Sequence, residues 1–466
     1  MIKLIFRYFL SISIEVNILM LKTSEKKHCY VQTYGCQMNE HDSFRMIEIL
    51  SREGYSVTDE MGHADLVLLN TCSVRENPEN KVYSVLGRIR KYKEKNPNLI
   101  VGVGGCVAQQ EGKKILQRSK CVDMVFGTDQ FFKLPEMLAE VGEGKRVLRI
   151  KWMPREEKVQ NFVPETEIVK GHVDGCKAYV SITKGCDNFC SFCIVPMTRG
   201  RLVSREHENI LEECKNLIEK GAQEIMLLGQ NVNSYQAHDI GFYELLKMVA
   251  NLEGLKRLRF ISPYPNDWTK DLSDLMAEHP VVSNYLHLPY QAGSNRILKM
   301  MRRGHTKQEY LDKVAYMRKI NPNLELSTDL IVGFPSETEE DFEHTLDVLR
   351  KVQFRHIYAY KYSVRPNTRA EHMEDDVLRK VKEDRLARVF VLQDEITKIC
   401  LERYLNTTQE ILIESAHPKL QGVMNGRTDS CCVVSVMNED LQIGDMVLVK
   451  ITGVKTYSLE GELLSI

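Results

Sequence analysis

Gly185-Cys186-Asp187-Asn188-Phe189-Cys190-Ser191-Phe192-Cys193 carries three cysteines at the spacing C-x3-C-x2-C. Three thiolates this close cannot be paired as disulfides without leaving one over, yet all three can reach one face of a small inorganic cluster. A cubane iron–sulfur cluster has four irons and usually takes four thiolates. Three local ligands therefore leave one iron open unless a distant group fills it. An open iron can bind and reduce a small molecule, which a fully liganded electron-transfer cluster does poorly. The competing reading is a zinc knuckle or a buried cysteine cluster, but zinc motifs usually run C-x2-C twice, with four ligands.

This loop follows a strand in a long strand–helix alternation. Strands are expected at Ala178–Thr183, Glu224–Leu228, Arg257–Ile261, Asn284–Leu288, Leu324–Val332 and His356–Lys361. Helices fit Arg205–Lys220, Tyr243–Asn251, Thr269–Glu278, Lys307–Arg318, Glu339–Val352 and Asp375–Cys400. Six such units over 177–402 suit a partial (β/α)6 barrel, with the cysteine loop at the carboxyl end of its first strand, where barrel sites are built. Other strand ends carry polar groups: Gln230 and Asn231 after the second, His287 and Gln291 around the fourth, Asp329 and the run Gly333-Phe334-Pro335-Ser336-Glu337 on the fifth. Gly333 and Glu337 read equally as a ligand loop or as a helix start with a capping acid. Arg199, Arg201 and Arg205 read as anion binders or as surface ion pairs.

The N-terminal third, 28–142, shows the same alternation and is expected to form an open parallel α/β sheet. Cys29–Tyr34, Asp65–Asn70, Leu99–Val103 and Val122–Phe126 are the strands. Helices are expected near Asn39–Glu53, Asn77–Lys95, Gln109–Gln117 and Phe132–Val141. Each of the first three strands ends in a turn with a cysteine: Cys36, Cys72 and Cys106. Ligands of open α/β sheets bind outside the carboxyl ends of strands, so these thiolates are expected to converge as a second three-thiolate cluster site, facing the first. The alternative is three small buried hydrophobes. Cys29 and Cys121 lie at strand starts and read as core, as does Cys176 before the first barrel strand. Lys81, Arg88, Arg90, Lys91, Lys93 and Lys95 make the second helix basic, either a solvated face or a phosphate contact.

The remaining segments are shorter. Residues 143–176, with Pro154 and Pro164, read as a linker. Residues 403–466 hold short alternating strands at Ile411–Glu414, Gln421–Met424, Cys431–Val436, Met446–Thr452 and Glu460–Leu464, with Asn425-Gly426 as a turn, and read as a small antiparallel β-barrel. From Leu401 to Ile466 there are five Lys or Arg against nine Asp or Glu, a net of −4, so an electrostatic grip on RNA there would rest on local groups such as Arg427, Lys455 or Tyr457. Adjacent Cys431 and Cys432 on one strand would point to opposite faces. Residues 1–27 read as a disordered or artefactual extension: Lys3 and Arg7 precede an apolar run, but Glu15 interrupts it and no cleavage site follows. Met20 is the expected start, and a mitochondrial presequence is the alternative.

With 466 residues, net charge −1 and 43% hydrophobic residues, the chain is expected to be a multidomain globular protein whose nucleic-acid contacts, if any, are local patches. Thirteen scattered cysteines exclude a secreted disulfide framework and imply a reducing, cytoplasmic compartment. No membrane span and a monomer are expected.

The C-x3-C-x2-C loop resembles that of the radical S-adenosylmethionine (SAM) superfamily. Thr33-Tyr34-Gly35-Cys36-Gln37-Met38-Asn39, Asn70-Thr71-Cys72-Ser73-Val74-Arg75-Glu76-Asn77 and Gly104-Gly105-Cys106 resemble the N-terminal domain of its methylthiotransferases, and the C-terminal barrel resembles their RNA-binding TRAM domain. The resemblance runs from about Cys29 to the C-terminus. It implies two 4Fe-4S clusters, one on Cys186, Cys190 and Cys193 and one on Cys36, Cys72 and Cys106. It further implies SAM as methyl donor and radical source, with contacts from Gln230, Asn231, Gly333 and Glu337, and a low-potential electron donor of the flavodoxin or ferredoxin type. Cys72-Ser73-Val74-Arg75-Glu76-Asn77 and Leu228-Gly229-Gln230-Asn231-Val232-Asn233-Ser234-Tyr235 resemble the branch that methylthiolates C2 of N6-dimethylallyladenosine beside the anticodon of tRNA. Branches acting on threonylcarbamoyl-adenosine or on a ribosomal-protein aspartate are the alternatives. A non-catalytic two-cluster redox protein is the reading from another class. Met197, Ser262-Pro263-Tyr264-Pro265 and Ser363-Val364-Arg365-Pro366-Asn367 depart from the usual pattern.

Overall fold

Runs such as Leu66-Val67-Leu68-Leu69 are apolar on both faces, as parallel strands covered by helices must be. In the computed structural model, which describes residues 27–73, 78–155 and 172–465, they form parallel sheets. The N-terminal extension as far as residue 26, Val74–Asn77 of the second cysteine motif, and 156–171 of the linker lie outside the described residues. The chain divides into two units. One holds the residues up to Gly35 and Asp42–Lys151; the other holds Cys36–His41 and Trp152 onward.

The first unit is a six-stranded sheet of β1 (Lys27–Thr33), β2 (Tyr55–Val57), β3 (Leu66–Thr71), β4 (Ile100–Gly105), β5 (Met124–Phe126) and β6 (Val147–Arg149). Its order is β2-β1-β3-β4-β5-β6, and every ladder is parallel. One core, with Val67, Leu69, Val101 and Val103, lies under the helix Pro78–Lys95. A second, with Cys29, Leu66, Leu68 and Phe126, lies on the other face. The four expected strands are present. The two additional ones, β2 and β6, are three-residue edges too short to show a period. At the end of the helix Pro78–Lys95, Arg90 pairs with Glu94 at 3.4 Å, and Lys93 bonds Asp123.

In the second unit, β7 (Val173–Asp174) pairs antiparallel with β8 (Lys177–Ser181). Next to β8 run β9 (Glu224–Leu228) and β10 (Arg257–Phe260), all parallel. A second parallel sheet holds β11 (Tyr285–His287), β12 (Glu325–Val332) and β13 (His356–Lys361). The parallel bridge Leu258–Val282 leads from one sheet toward the other, and a single apolar core runs behind both. This is the partial six-stranded barrel. Thr306 with Glu309 and Thr338 with Asp341 form capping boxes that start the helices Lys307–Ile320 and Glu339–Val352.

The C-terminal barrel is β14 (Thr408–Ala416), β15 (Val423–Thr428), β16 (Val433–Met437), β17 (Met446–Val454) and β18 (Leu459–Ser465), closed in the order β14-β15-β16-β18-β17. Four ladders are antiparallel and β16–β18 is parallel. The purely antiparallel expectation is corrected here: five strands cannot close a ring with every neighbour reversed, so one pair must be parallel. Asn425-Gly426 is likewise not a turn but lies within β15, opposite a β-bulge between Ile413 and Ser415. Cys431 precedes β16 at φ 69°, and both it and Cys432 are buried rather than pointing to opposite faces of a strand.

The segment Thr428–Cys432 lies against the amino-terminal end of the large barrel. Asn284 N–H donates to Asp429 Oδ2 at 3.0 Å, Arg257 Nη2 to Arg427 O at 3.0 Å, and Arg355 Nη2 to Cys431 O at 3.3 Å. Inside that end, Glu224 accepts from Arg257 at 3.3 Å and from Arg259 at 3.2 Å, all three inaccessible or nearly so. The amino end of the barrel is thus floored by the segment Thr428–Cys432. Among the described residues, no helix is long and apolar enough to cross a membrane.

Candidate active site

The cysteine loop leaves the carboxyl end of β8 and is set by backbone geometry. Gly185 stands at φ 78°, and a Cβ there would come within 2.2 Å of Arg201 O. Only glycine lets the two backbones approach so closely. Cys186 N–H donates to Gly200 O at 3.1 Å and Cys193 N–H to Cys190 O at 3.0 Å. Gln230 Oε1, at the end of β9, accepts from Gly185 N–H at 2.5 Å and ties the loop to the barrel rim. Burial, and after it the neighbouring Cys190 sulfur, push the thiols of Cys186 to about 11 and Cys193 to about 12. As free thiols they stay protonated; they ionise when a metal takes the place of the proton.

The donor set fits a multi-iron cluster better than a single ion. Zinc at Zn–S of about 2.3 Å needs tetrahedral sulfurs about 3.8 Å apart. Among the described residues, the one trio of ligand-type side chains gathered within 4.8 Å is Glu206, His207 and Glu208, not the loop cysteines. Arg303 supplies the positive charge beside the loop: its Nη1 donates to Cys190 Sγ at 3.5 Å, its Nη2 to Pro289 O at 2.7 Å, and its plane lies 4.5 Å over the Tyr264 ring. Sequence reasoning missed Arg303, because the Met301-Arg302-Arg303-Gly304 stretch carries no periodic signal.

The other expected residues divide. Asn231 is buried. Its Nδ2 donates to Ser234 and to Asp267 Oδ2, while its Oδ1 has no donor. Glu337 accepts from Gly333 N–H at 2.6 Å and from Arg385 Nη1 at 2.8 Å, which folds the loop after β12 on itself. Burial nevertheless raises its carboxyl to about 7. Arg205 is no anion binder, since it is buried against Glu213; Arg201 pairs at the surface with Asp187 at 2.6 Å. In the C-terminal barrel, Arg427 holds Glu414 at 2.9 Å, Lys455 Glu460 at 2.5 Å, and Tyr457 Asp394 at 3.0 Å.

In the first unit, Cys72 and Cys106 directly follow Thr71 and Gly105, which are paired residues of the neighbouring strands β3 and β4; both cysteines are buried. Gly105 at φ 91° leaves no room for a side chain, whose Cβ would meet Thr71 O at 2.4 Å. Cys36 follows β1, which pairs with β3, and opens the helix Gln37–Arg52. Its segment, Cys36–His41, belongs to the second unit. There Met38 packs with Met226 and Leu228, with Cys36, Tyr179 and Ile261 around them.

The chain matches the model of Uncharacterized protein family UPF0004 over 28–127, the Radical SAM superfamily over 180–349 and the TRAM domain over 402–464. A tRNA-2-methylthio-N(6)-dimethylallyladenosine synthase from Shewanella woodyi is 43% identical over 94% of this chain and 92% of its own length. One from Hydrogenobaculum sp. is 42% identical over 93% and 98%. Among solved structures, the radical S-adenosylmethionine methyltransferase TsrM from Kitasatospora setae aligns at TM-score 0.55 and 15% identity, covering 74% of each chain, which shows the shared fold. By its sequence identity over nearly its whole length, the chain belongs to the family of tRNA-2-methylthio-N(6)-dimethylallyladenosine synthases, within the radical SAM superfamily.

Proposed function

We propose that this chain adds a methylthio group to C2 of N6-dimethylallyladenosine beside the anticodon of tRNA. The observation that carries the reading is the 43% identity across 94% of the chain to a synthase of that name. Its support in the structure is a three-cysteine loop at the carboxyl end of a radical SAM barrel. Cys186, Cys190 and Cys193 are the ligands of one 4Fe-4S cluster. Cys36, Cys72 and Cys106 are those of a second, a reading that rests on their following three neighbouring parallel strands. When bound, the clusters supply the electron that splits the sulfonium of SAM and the sulfur that is transferred.

The C2–H bond offers no acidic proton, so a general base has nothing to remove in the first step. The work of the chain is to bind and orient. Gln230 holds Gly185 and with it the loop. Asn231 offers a buried acceptor to the amino group of SAM. Gly333 and Glu337 shape the loop at the end of β12 that borders the SAM site. The electron comes from a low-potential donor of the flavodoxin or ferredoxin type, and the protein acts in the cytoplasm as a monomer.

Two measurements test this. Anaerobically reconstituted protein with SAM and dithionite should release 5′-deoxyadenosine, and the Cys186→Ala, Cys190→Ala, Cys193→Ala triple variant should release none. A non-catalytic redox protein would release none in either form. Nucleosides of tRNA from a strain lacking the chain should lose the 2-methylthio group and keep the isopentenyl group. A change confined to threonylcarbamoyl-adenosine, or to a ribosomal-protein aspartate, would instead assign it to another branch.

A further inference from the structure

One strip of the large barrel carries chemistry that none of the cysteine or glycine motifs uses. In β11, β12 and β13, the residues Leu286, Leu326, Leu330, Val332, Ile357 and Ala359 belong to the core under the helices. Strand residues alternate between faces, so their neighbours turn to the inner face of the barrel. The register sets those neighbours in rungs. His287, Ser327 and His356 share one; Asp329 lies beside Tyr358 in the next; Ile331 lies beside Tyr360 in the last. The rungs climb toward the carboxyl end, where the cysteine loop stands. Below them Tyr285 is held under Arg259 and Arg355, ring-to-cation distances 5.5 and 5.1 Å, which closes the bottom.

The strip is held rigid on its polar side. His287 Nδ1 lies 2.8 Å from Ser327 Oγ and its Nε2 lies 3.4 Å from Asp329 Oδ2. The Tyr358 ring stands edge-on to His287 and His356, at 5.7 and 4.7 Å. Yet Tyr358 and Tyr360 remain 45% and 43% exposed, and the Asp329 side chain 34%, while at the end of β9 Met38 packs over the buried Met226 and Leu228, with Ile261 beside them, as an apolar wall. Large rings beside an accessible carboxylate, facing an apolar wall, match a flat, partly apolar ligand that has an N–H on its edge.

We infer that this strip is the seat of the target nucleobase. The purine stacks on Tyr358 and Tyr360, its N6–H donates to Asp329, and the dimethylallyl chain lies along Ile331 toward the apolar wall. The inference rests on the proposed tRNA substrate and names the residues that would select for the N6 substituent. Stacking on aromatic side chains tolerates any base, so discrimination comes from Asp329 and the apolar wall.

The test uses the reconstituted full-length protein and anticodon stem-loop RNAs that carry adenosine, N6-dimethylallyladenosine, or the N6-methyl-N6-dimethylallyl analogue, which lacks the N–H. Tyr358→Leu and Tyr360→Leu should each weaken binding of the dimethylallyl RNA by roughly tenfold or more, and Tyr360→Phe should bind like wild type. Wild type should prefer the N–H-bearing RNA over the analogue, and Asp329→Ala should lose that preference. Binding of SAM, measured alone, should not move. Unchanged RNA affinities in both leucine variants overturn the inference. So does weakened SAM binding with unchanged RNA binding, which would give the strip to the adenine of SAM. A wild-type protein indifferent to the dimethylallyl group, yet cleaving SAM, would overturn the substrate reading itself and the seat with it.

Discussion

Arg303 donates from Nη1 to the thiol of Cys190 at 3.5 Å while its other terminal nitrogen is spent on Pro289 O. Two anchors and the Tyr264 ring fix the guanidinium, so its charge cannot swing away from the sulfur. A charge and a hydrogen bond at a ligand sulfur stabilise the more negative, reduced state of a cluster. Arg303→Gln is expected to shift the midpoint potential of the barrel cluster negative by on the order of 50 mV, about tenfold in a one-electron equilibrium. Potentiometry followed by electron paramagnetic resonance reads this directly. Iron content per chain, measured alongside, shows that the cluster is retained; an unmoved potential would mean the contact is only structural.

The floor of the large barrel is made by a different domain, the TRAM region, through Asp429 and its neighbours. The Asp429 carboxylate accepts from the Asn284 N–H at a part-buried position. Asp429→Ala leaves that part-buried donor without its partner, at a cost of about 1 kcal/mol. Thermal unfolding should show Tm lower by a few degrees. An unchanged Tm would show that the C-terminal barrel only rests against the floor without supporting it.

How far the sequence could be read is clearest strand by strand. Glu224–Leu228 and His356–Lys361 fall where apolar runs and turn residues place them. The edge strands Tyr55–Val57 and Val147–Arg149 escape because three residues cannot display a period. The helix Asn295–Met301 escapes because two turns between two loops look like loop. Where the six proposed ligand cysteines stand, after β1, β3, β4 and β8, was legible from spacing and strand order. The inner-face strip was half legible: His356, Tyr358 and Tyr360 alternate visibly with Ile357 and Ala359. Alternation does not say which face is the lumen; that required the register with β12. Arg205 follows its ion-pair reading rather than the anion-binding one, but the pair with Glu213 is buried, which a lone basic residue after a loop does not reveal.

Gly105 meets Thr71 O with no space between them, and its φ of 91° is one that side chains avoid. Gly105→Ala must therefore open the β3–β4 ends just where Cys72 and Cys106 leave the sheet. Strain of this kind costs about 1–3 kcal/mol before the steric clash is counted. The denaturation midpoint should fall. Iron per chain after reconstitution should drop toward what the Cys36→Ala, Cys72→Ala, Cys106→Ala variant retains. Full iron loading in Gly105→Ala would show that the second site does not depend on this close approach.

His305 gives the fold an acid limit. It is buried, its Nδ1 lies 3.1 Å from Arg303 O, and its Nε2 has no partner. Burial first, and then the nearby Arg303 charge, lower its pKa from 6.5 to about 4. The folded state thus refuses a proton that the unfolded chain accepts below pH 6.5. The unfolded state binds more protons between those two values, so stability is full above about pH 6.5 and falls as the pH drops toward 4. At 1.36 kcal/mol per pH unit, the loss from this one group is about 3 kcal/mol. Because carboxylates also titrate in this range, the measurement is a difference. His305→Asn should be less stable than wild type at neutral pH, where the native ring packing is lost. The gap should narrow steadily as denaturant midpoints are taken from pH 7 to pH 4.5. Parallel stability curves for the two proteins would show that His305 is protonated in the folded state, with its charge accommodated by a shift of the Arg303 loop.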